Sequence, residues 1–145
     1  MGLFSTANKD RLLVALYIRG GEPRMPGGED NLLVRMVIAK ILDMAALQEV
    51  LRGVSIRAGQ PGQDNWNCVS WVREALEALQ RTSNVLGTAV LDWDTVRDSV
   101  MNFAQRKVDE RHFESTGAGA GAGAGAFDNN KPATYEFIDG KELYP

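Results

Sequence analysis

The residue best suited to covalent chemistry in this chain is Cys68, in Asp64-Asn-Trp-Asn-Cys-Val-Ser-Trp71. Apolar spacing predicts a helix over about 67–81, which puts the thiol in the first helical turn. There, unpaired amide N–H groups and the helix dipole favour thiolate over thiol. A thiolate so placed attacks an acyl carbonyl, and the same amides stabilise the oxyanion. Trp66, Asn67 and Trp71 are the candidate binding residues, the two indoles walling an apolar pocket beside the sulfur. The competing reading is plainer: a lone cysteine packs as a small hydrophobe and Trp66 and Trp71 belong to the core.

A cysteine nucleophile needs a group to take its proton. The sequence holds one histidine, His112, in Asp109-Glu-Arg-His-Phe113, just past the end of another predicted helix. His112 is therefore the candidate base, although no spacing ties it to Cys68, and a solvent-facing histidine at a helix end is the ordinary alternative. With one cysteine and one histidine, no internal disulfide and no metal site is expected. Asp92-Trp-Asp94 reads as a helix cap and Asp109-Glu110 as a solvated face. Gly59-Gln-Pro-Gly62 precedes a helix, as phosphate loops do, but lacks the Gly-Lys-Ser/Thr ending that engages phosphate and magnesium, so it reads as a turn. No cofactor is expected.

The elements that must position Cys68 follow from the apolar pattern. Arg11–Arg19 is a short run rich in β-formers, closed by Gly20-Gly21, and predicts a buried strand, with a helix as the competing reading. The Pro- and Gly-rich stretch 22–30 predicts a loop. Leu33, Val34, Val37, Ile38, Ile41 and Leu42 recur at helical spacing and predict a helix over 32–42. Asp43 caps a second helix that runs to Arg52 and stops at Gly53, with Leu47, Val50 and Leu51 inward. Val54–Arg57 is a predicted short strand. In the helix over about 67–81, Val69, Val72, Leu76 and Leu79 form the buried stripe, and Arg73, Glu74, Glu77, Gln80 and Arg81 the wet side. The next helix starts from Asp92 or Asp94 and aligns Val96, Val100, Phe103 and Lys107, with Arg97, Met101, Ala104 and Val108 beside them. Ala133–Ile138 alternates as a half-exposed strand, ended by the turn Asp139-Gly140.

The expected organisation is a flexible N-terminus (1–10), an α+β core domain (11–116), a Gly-Ala linker (117–131) and a C-terminal strand (132–145) returning to the core. About four helices pack on a short antiparallel sheet. The repeat Gly117–Ala126 carries no side chain able to build a core, and a flexible linker is expected over a silk-like sheet.

Composition bounds the function. The chain has 145 residues, 16 Lys and Arg against 19 Asp and Glu, and a formal net charge of −3. That balance, without a dense basic stripe, argues against nucleic acid as a partner. No apolar run reaches spanning length and no secretory signal is visible. Gly2 matches a myristoylation acceptor with Thr6, but only Lys9, Arg11 and Arg19 lie nearby, too few for a second anchoring signal, so no membrane is expected. The expected location is the cytoplasm.

Trp66-Asn-Cys-Val-Ser-Trp-Val-Arg-Glu-Ala-Leu76, followed by Leu86-Gly-Thr88, Asp92-Trp93, Pro132-Ala-Thr-Tyr135 and Gly140-Lys-Glu142, resembles a family of small uncharacterised proteins of filamentous fungi. The resemblance covers most of the chain and implies a small intracellular α+β domain without an assigned activity. More distantly, Asn67-Cys68 is similar to the Asn-Cys pair that opens a helix in circularly permuted papain-like folds of the lecithin–retinol acyltransferase type. There a histidine on an earlier strand serves as base. This chain departs from that pattern: an aromatic-His-aromatic strand is expected before Leu32, but the sequence passes from Gly28-Glu-Asp30 straight to Asn31. An altered gene model, a splice form or a true loss would each explain it. Without that histidine, activity would have to recruit His112, Asp64 or a partner's residue. The resemblance therefore implies a degenerate, non-catalytic scaffold that engages an unknown protein partner or itself. The alternative is a Cys68-dependent thiol hydrolase or acyltransferase.

Overall fold

The computed structural model describes residues 1–5, 10–18, 31–62, 65–110 and 132–144. Its elements are β1 (Gly2–Ser5), β2 (Arg11–Ile18), β3 (Asn31–Ile41), α1 (Met44–Gly53), α2 (Cys68–Gln80), β4 (Leu86–Ala89), α3 (Trp93–Asp109), β5 (Ala133–Glu136) and β6 (Lys141–Tyr144). The class is α+β, with three helices and one six-stranded sheet among the described residues. The Gly-Ala repeat lies outside the described residues, as does the loop expected over 22–30.

β3 is the centre of the sheet. β2 pairs antiparallel along one edge, while the other edge is shared by β5, parallel at 34–37, and β4, antiparallel at 39–41. β1 extends the sheet beyond β2, and β6 beyond β5. The sheet is therefore mixed, not antiparallel. The parallel β3–β5 pair requires a crossover, and α1, α2, β4 and α3 all lie within it.

The largest correction concerns 32–42, which is a strand and not a helix. Its register shifts between Leu12↔Ala39 and Leu13↔Val37, leaving Ile38 as an extra residue in a β-bulge. The bulge moves the inward phase by one position. Val34, Met36 and Ile38 before it, and Ala39 and Ile41 after it, all join the core cluster. Val37 is buried as well. A central strand buried this thoroughly reads as a nearly continuous apolar run, and the phase shift mimics helical spacing. The β-branched residues Val34, Val37, Ile38 and Ile41 were the signal for strand.

Smaller corrections follow the same logic. Val54–Arg57 forms no strand: Ser55 and Ile56 are exposed, and no strand pairs with them among the described residues. Gly2–Ser5 is β1, inside the stretch expected as a flexible N-terminus. Leu86–Ala89 and Lys141–Tyr144 form short strands that the sequence pattern did not suggest.

The helices meet the expectations more closely. Asp43 accepts from the amide of Ala46 at 2.9 Å and starts α1, which buries Leu47. α2 buries Val72, Ala75, Leu76 and Leu79, while Val69, expected on the inner stripe, is 37% exposed. α3 buries Val96, Val100, Phe103, Ala104 and Lys107. Its cap is Asp92, which accepts from the hydroxyl and amide of Thr95, and these bonds hold its carboxyl below the ordinary value. The helices and the sheet share one cluster in which Leu12, Val14, Met36 and Ile38 meet Leu76, Val96 and Val100. Each such side chain contributes roughly 1.5–3 kcal/mol on burial.

Lys107 sits on the buried stripe of α3 at 3% exposure. Its ammonium pairs with Glu142 of β6 and, at 2.9 Å, with Glu110. The guanidinium of Arg106 lies 5.0 Å from the Phe103 ring centroid and 3.3 Å from Glu142, completing the link from α3 to the β5–β6 hairpin. Burial alone would push the Lys107 amine down; the hydrogen bonds and charges of Glu142 and Glu110 outweigh it and raise the amine above 10.5.

Leu76→Asp is expected to abolish cooperative folding, because it buries an unpaired charge at a cost above about 4 kcal/mol. A soluble variant that still melts cooperatively near the wild-type temperature would contradict this packing. For Lys107, the folded-state value lies above the unfolded one, so the stabilisation is complete below pH 10.5 and is lost as pH climbs through the raised value. Thermal melts across the alkaline range should therefore show wild type losing stability more steeply than Lys107→Met. Parallel alkaline limbs would show that the buried amine contributes nothing.

Candidate functional site

The start of α2 is fixed by Asn67, whose extended backbone (φ −147°) turns the chain into the helix. Its Oδ1 accepts from the amide of Val69 at 2.9 Å and from that of Ser70 at 3.2 Å. In return Ser70 Oγ accepts from the Asn67 amide at 3.3 Å, closing a reciprocal capping box. The Asn67 carbonyl accepts from the Trp71 amide at 3.0 Å. The amides of Val69 and Ser70 are thus spent on the cap. Asn67 Oδ1 is engaged as the helix cap in this arrangement.

Cys68 is exposed, against the reading that it packs as a small hydrophobe. Its Sγ receives a long contact, 3.9 Å, from the α-amino group of Met1, where β1 lies against α2. His112, the candidate base, and Asp64 lie outside the described residues, so no Cys68–His112 geometry is described. Among the described residues, no three His, Cys, Asp or Glu side chains gather as a metal site.

The indole N–H groups of the two tryptophans are both engaged in hydrogen bonds. Trp66 Nε1 donates to Glu74 Oε1 at 3.0 Å, and Trp71 Nε1 donates to the carbonyl of Val54 at 3.3 Å while its ring packs on the edge of the core. Both indoles tie the 54–66 loop to α2. Arg57 grips the other oxygen of Glu74, so that carboxylate joins the loop and the helix through two donors.

Sequence reasoning assigned the wet side of α2 to solvent, yet the concave surface lies there. One cleft, of about 720 Å³, runs between the end of α1, the following loop and α2, where it is bounded by Arg57, Glu74, Glu77 and Arg81. A second, of about 450 Å³, continues past Trp66, Ser70 and Arg73 and shares Arg57, Glu74 and Glu77 with the first. Cys68 lines neither. Within this surface Glu77 accepts from Arg73 at 3.2 Å and from Arg81 at 3.4 Å, an i, i+4 ladder on both sides. The spacing of Arg73, Glu77 and Arg81 was the available signal. The loop residue Arg57, which completes the surface, had none.

Among the described residues, no helix is long and apolar enough to cross a membrane. No curated protein and no solved structure matches the chain. A family-level match covers residues 24–144, and the chain accordingly belongs to a family of unknown function, DUF6914.

Proposed function

We propose that the chain is a non-catalytic protein-interaction domain of the cytoplasm, a degenerate relative of papain-like scaffolds in which the Asn-Cys helix start survives as structure. The observation that carries this reading is the occupancy of two helix-start amides, those of Val69 and Ser70. An oxyanion hole needs donors aimed at the developing charge, and Val69 and Ser70 N–H already bond Asn67 Oδ1. A substrate oxygen would have to displace a cap worth roughly 1 kcal/mol to reach them. The two clefts along α2 do not have Cys68 in their lining and are bounded by paired charges, a surface suited to polar contacts with another chain.

A Cys68-dependent thiol hydrolase or acyltransferase is the second reading, favoured by the exposure of the sulfur at a helix start. In that reaction Sγ would form a thioester as the leaving group departs with a proton, and water or an acceptor would then release the acyl group.

The two readings separate on thiol reactivity. For the interaction domain, Cys68 should be alkylated by iodoacetamide at neutral pH within about threefold of the rate in the denatured chain, as an accessible but unassisted thiol is. Cys68→Ser should leave the melting temperature within a few degrees of wild type, an exposed change of about 0.5 kcal/mol or less. Alkylation tens of times faster in the folded protein would overturn the non-catalytic reading.

A further inference from the structure

We infer that the paired clefts along α2 form a docking site for an acidic, extended peptide segment of a partner protein. This rests on the interaction-domain reading and names the partner's chemistry. Three guanidinium groups, Arg57, Arg73 and Arg81, face two carboxylates, Glu74 and Glu77. Glu74 accepts from Trp66 on one oxygen and Arg57 on the other; Glu77 accepts from Arg73 on one and Arg81 on the other. All four carboxylate oxygens are engaged. Each arginine, in contrast, commits one nitrogen to these contacts and carries five N–H donors in all. The surface is therefore rich in donors and short of acceptors, with one positive charge in excess, on a chain whose net charge is −3.

Its dimensions fit a strand of peptide. Arg73 and Arg81 both bond Glu77, at 3.2 Å and 3.4 Å on its two oxygens, so their guanidinium groups flank one carboxylate, and Arg57, common to both clefts, bonds the neighbouring Glu74. Same-face side chains of an extended peptide repeat every 6.6–6.8 Å or so. Two carboxylates at alternate positions thus meet the guanidinium groups of Arg73 and Arg81 on either side of Glu77, with Arg57 beside them, and bidentate pairing sets the register. Arg73 and Arg81 are 60% and 75% exposed, so both are open to a partner and dispensable for folding.

The test is fluorescence anisotropy on the full chain at low ionic strength with labelled Gly-Glu-Ala-Glu-Ala-Glu-Gly, its Gln-for-Glu counterpart, and a ten-residue oligothymidylate. The Glu peptide should bind saturably, with the Gln peptide at least about tenfold weaker. Binding should weaken with added salt, and Arg73→Gln combined with Arg81→Gln should reduce it about tenfold while the melting curve stays unchanged. Equal binding of the Gln peptide, no effect of the double substitution, or stronger binding of the oligonucleotide would overturn the assignment. Those results would leave the interaction-domain reading standing on another surface. That reading fails separately, through fast Cys68 alkylation.

Discussion

A buried strand persists only if the amides and carbonyls on both of its edges find partners, and β3 finds them in three neighbours. β2 satisfies one edge along its length, while β5 and β4 divide the other. This division fixes much else. The parallel β3–β5 pair forces a long crossover, and the crossover holds every described helix. The helices pack on the face of the sheet where Val34, Met36, Ile38, Ala39 and Ile41 emerge, and the Ile38 bulge keeps that face apolar past the point where β5 ends and β4 begins. α2 therefore starts where it does because Val72, Leu76 and Leu79 must reach that face.

From there the site is a matter of local bonding. The turn into α2 leaves first-turn amides that need acceptors, and Asn67 supplies one oxygen to two of them. The loop before it is held by Trp66, Trp71 and Arg57, each bonded to α2 or to the end of α1. These same bonds shape the clefts. Structural need and surface chemistry are coupled here: the contacts that pin the loop consume the carboxylates and leave the arginines with donors to spare.

Much of this was readable in the residues. Asp43 and Asp92 sit where capping chemistry puts them, and the apolar stripes of the three helices bury Leu47, Val72, Leu76, Leu79, Val96, Val100 and Phe103 as expected, though not Val69, Val50 or Leu51. Lys107 was on the buried line by spacing alone, and the structure explains how an amine can be there. β3 was not readable as a strand, because a bulge in a doubly buried strand imitates the helical period. The short edge strands β4 and β6 escaped notice because their four residues carry no periodicity and form only against a neighbour. At the site, the exposure of Cys68 and the bonding of both indoles depend on the 54–66 loop, whose path is set by tertiary contacts such as Arg57–Glu74 that span 17 residues.

The most direct measurement is hydrogen exchange of the Val69 and Ser70 amides, residue by residue, in wild type and Asn67→Ala. If the cap closes the helix start, both amides exchange severalfold more slowly in wild type than in the variant, by about the factor that 1 kcal/mol implies. Rapid exchange of both amides in wild type, unchanged by the substitution, would mean that the donors stand open to a substrate oxygen, and the non-catalytic account would be wrong.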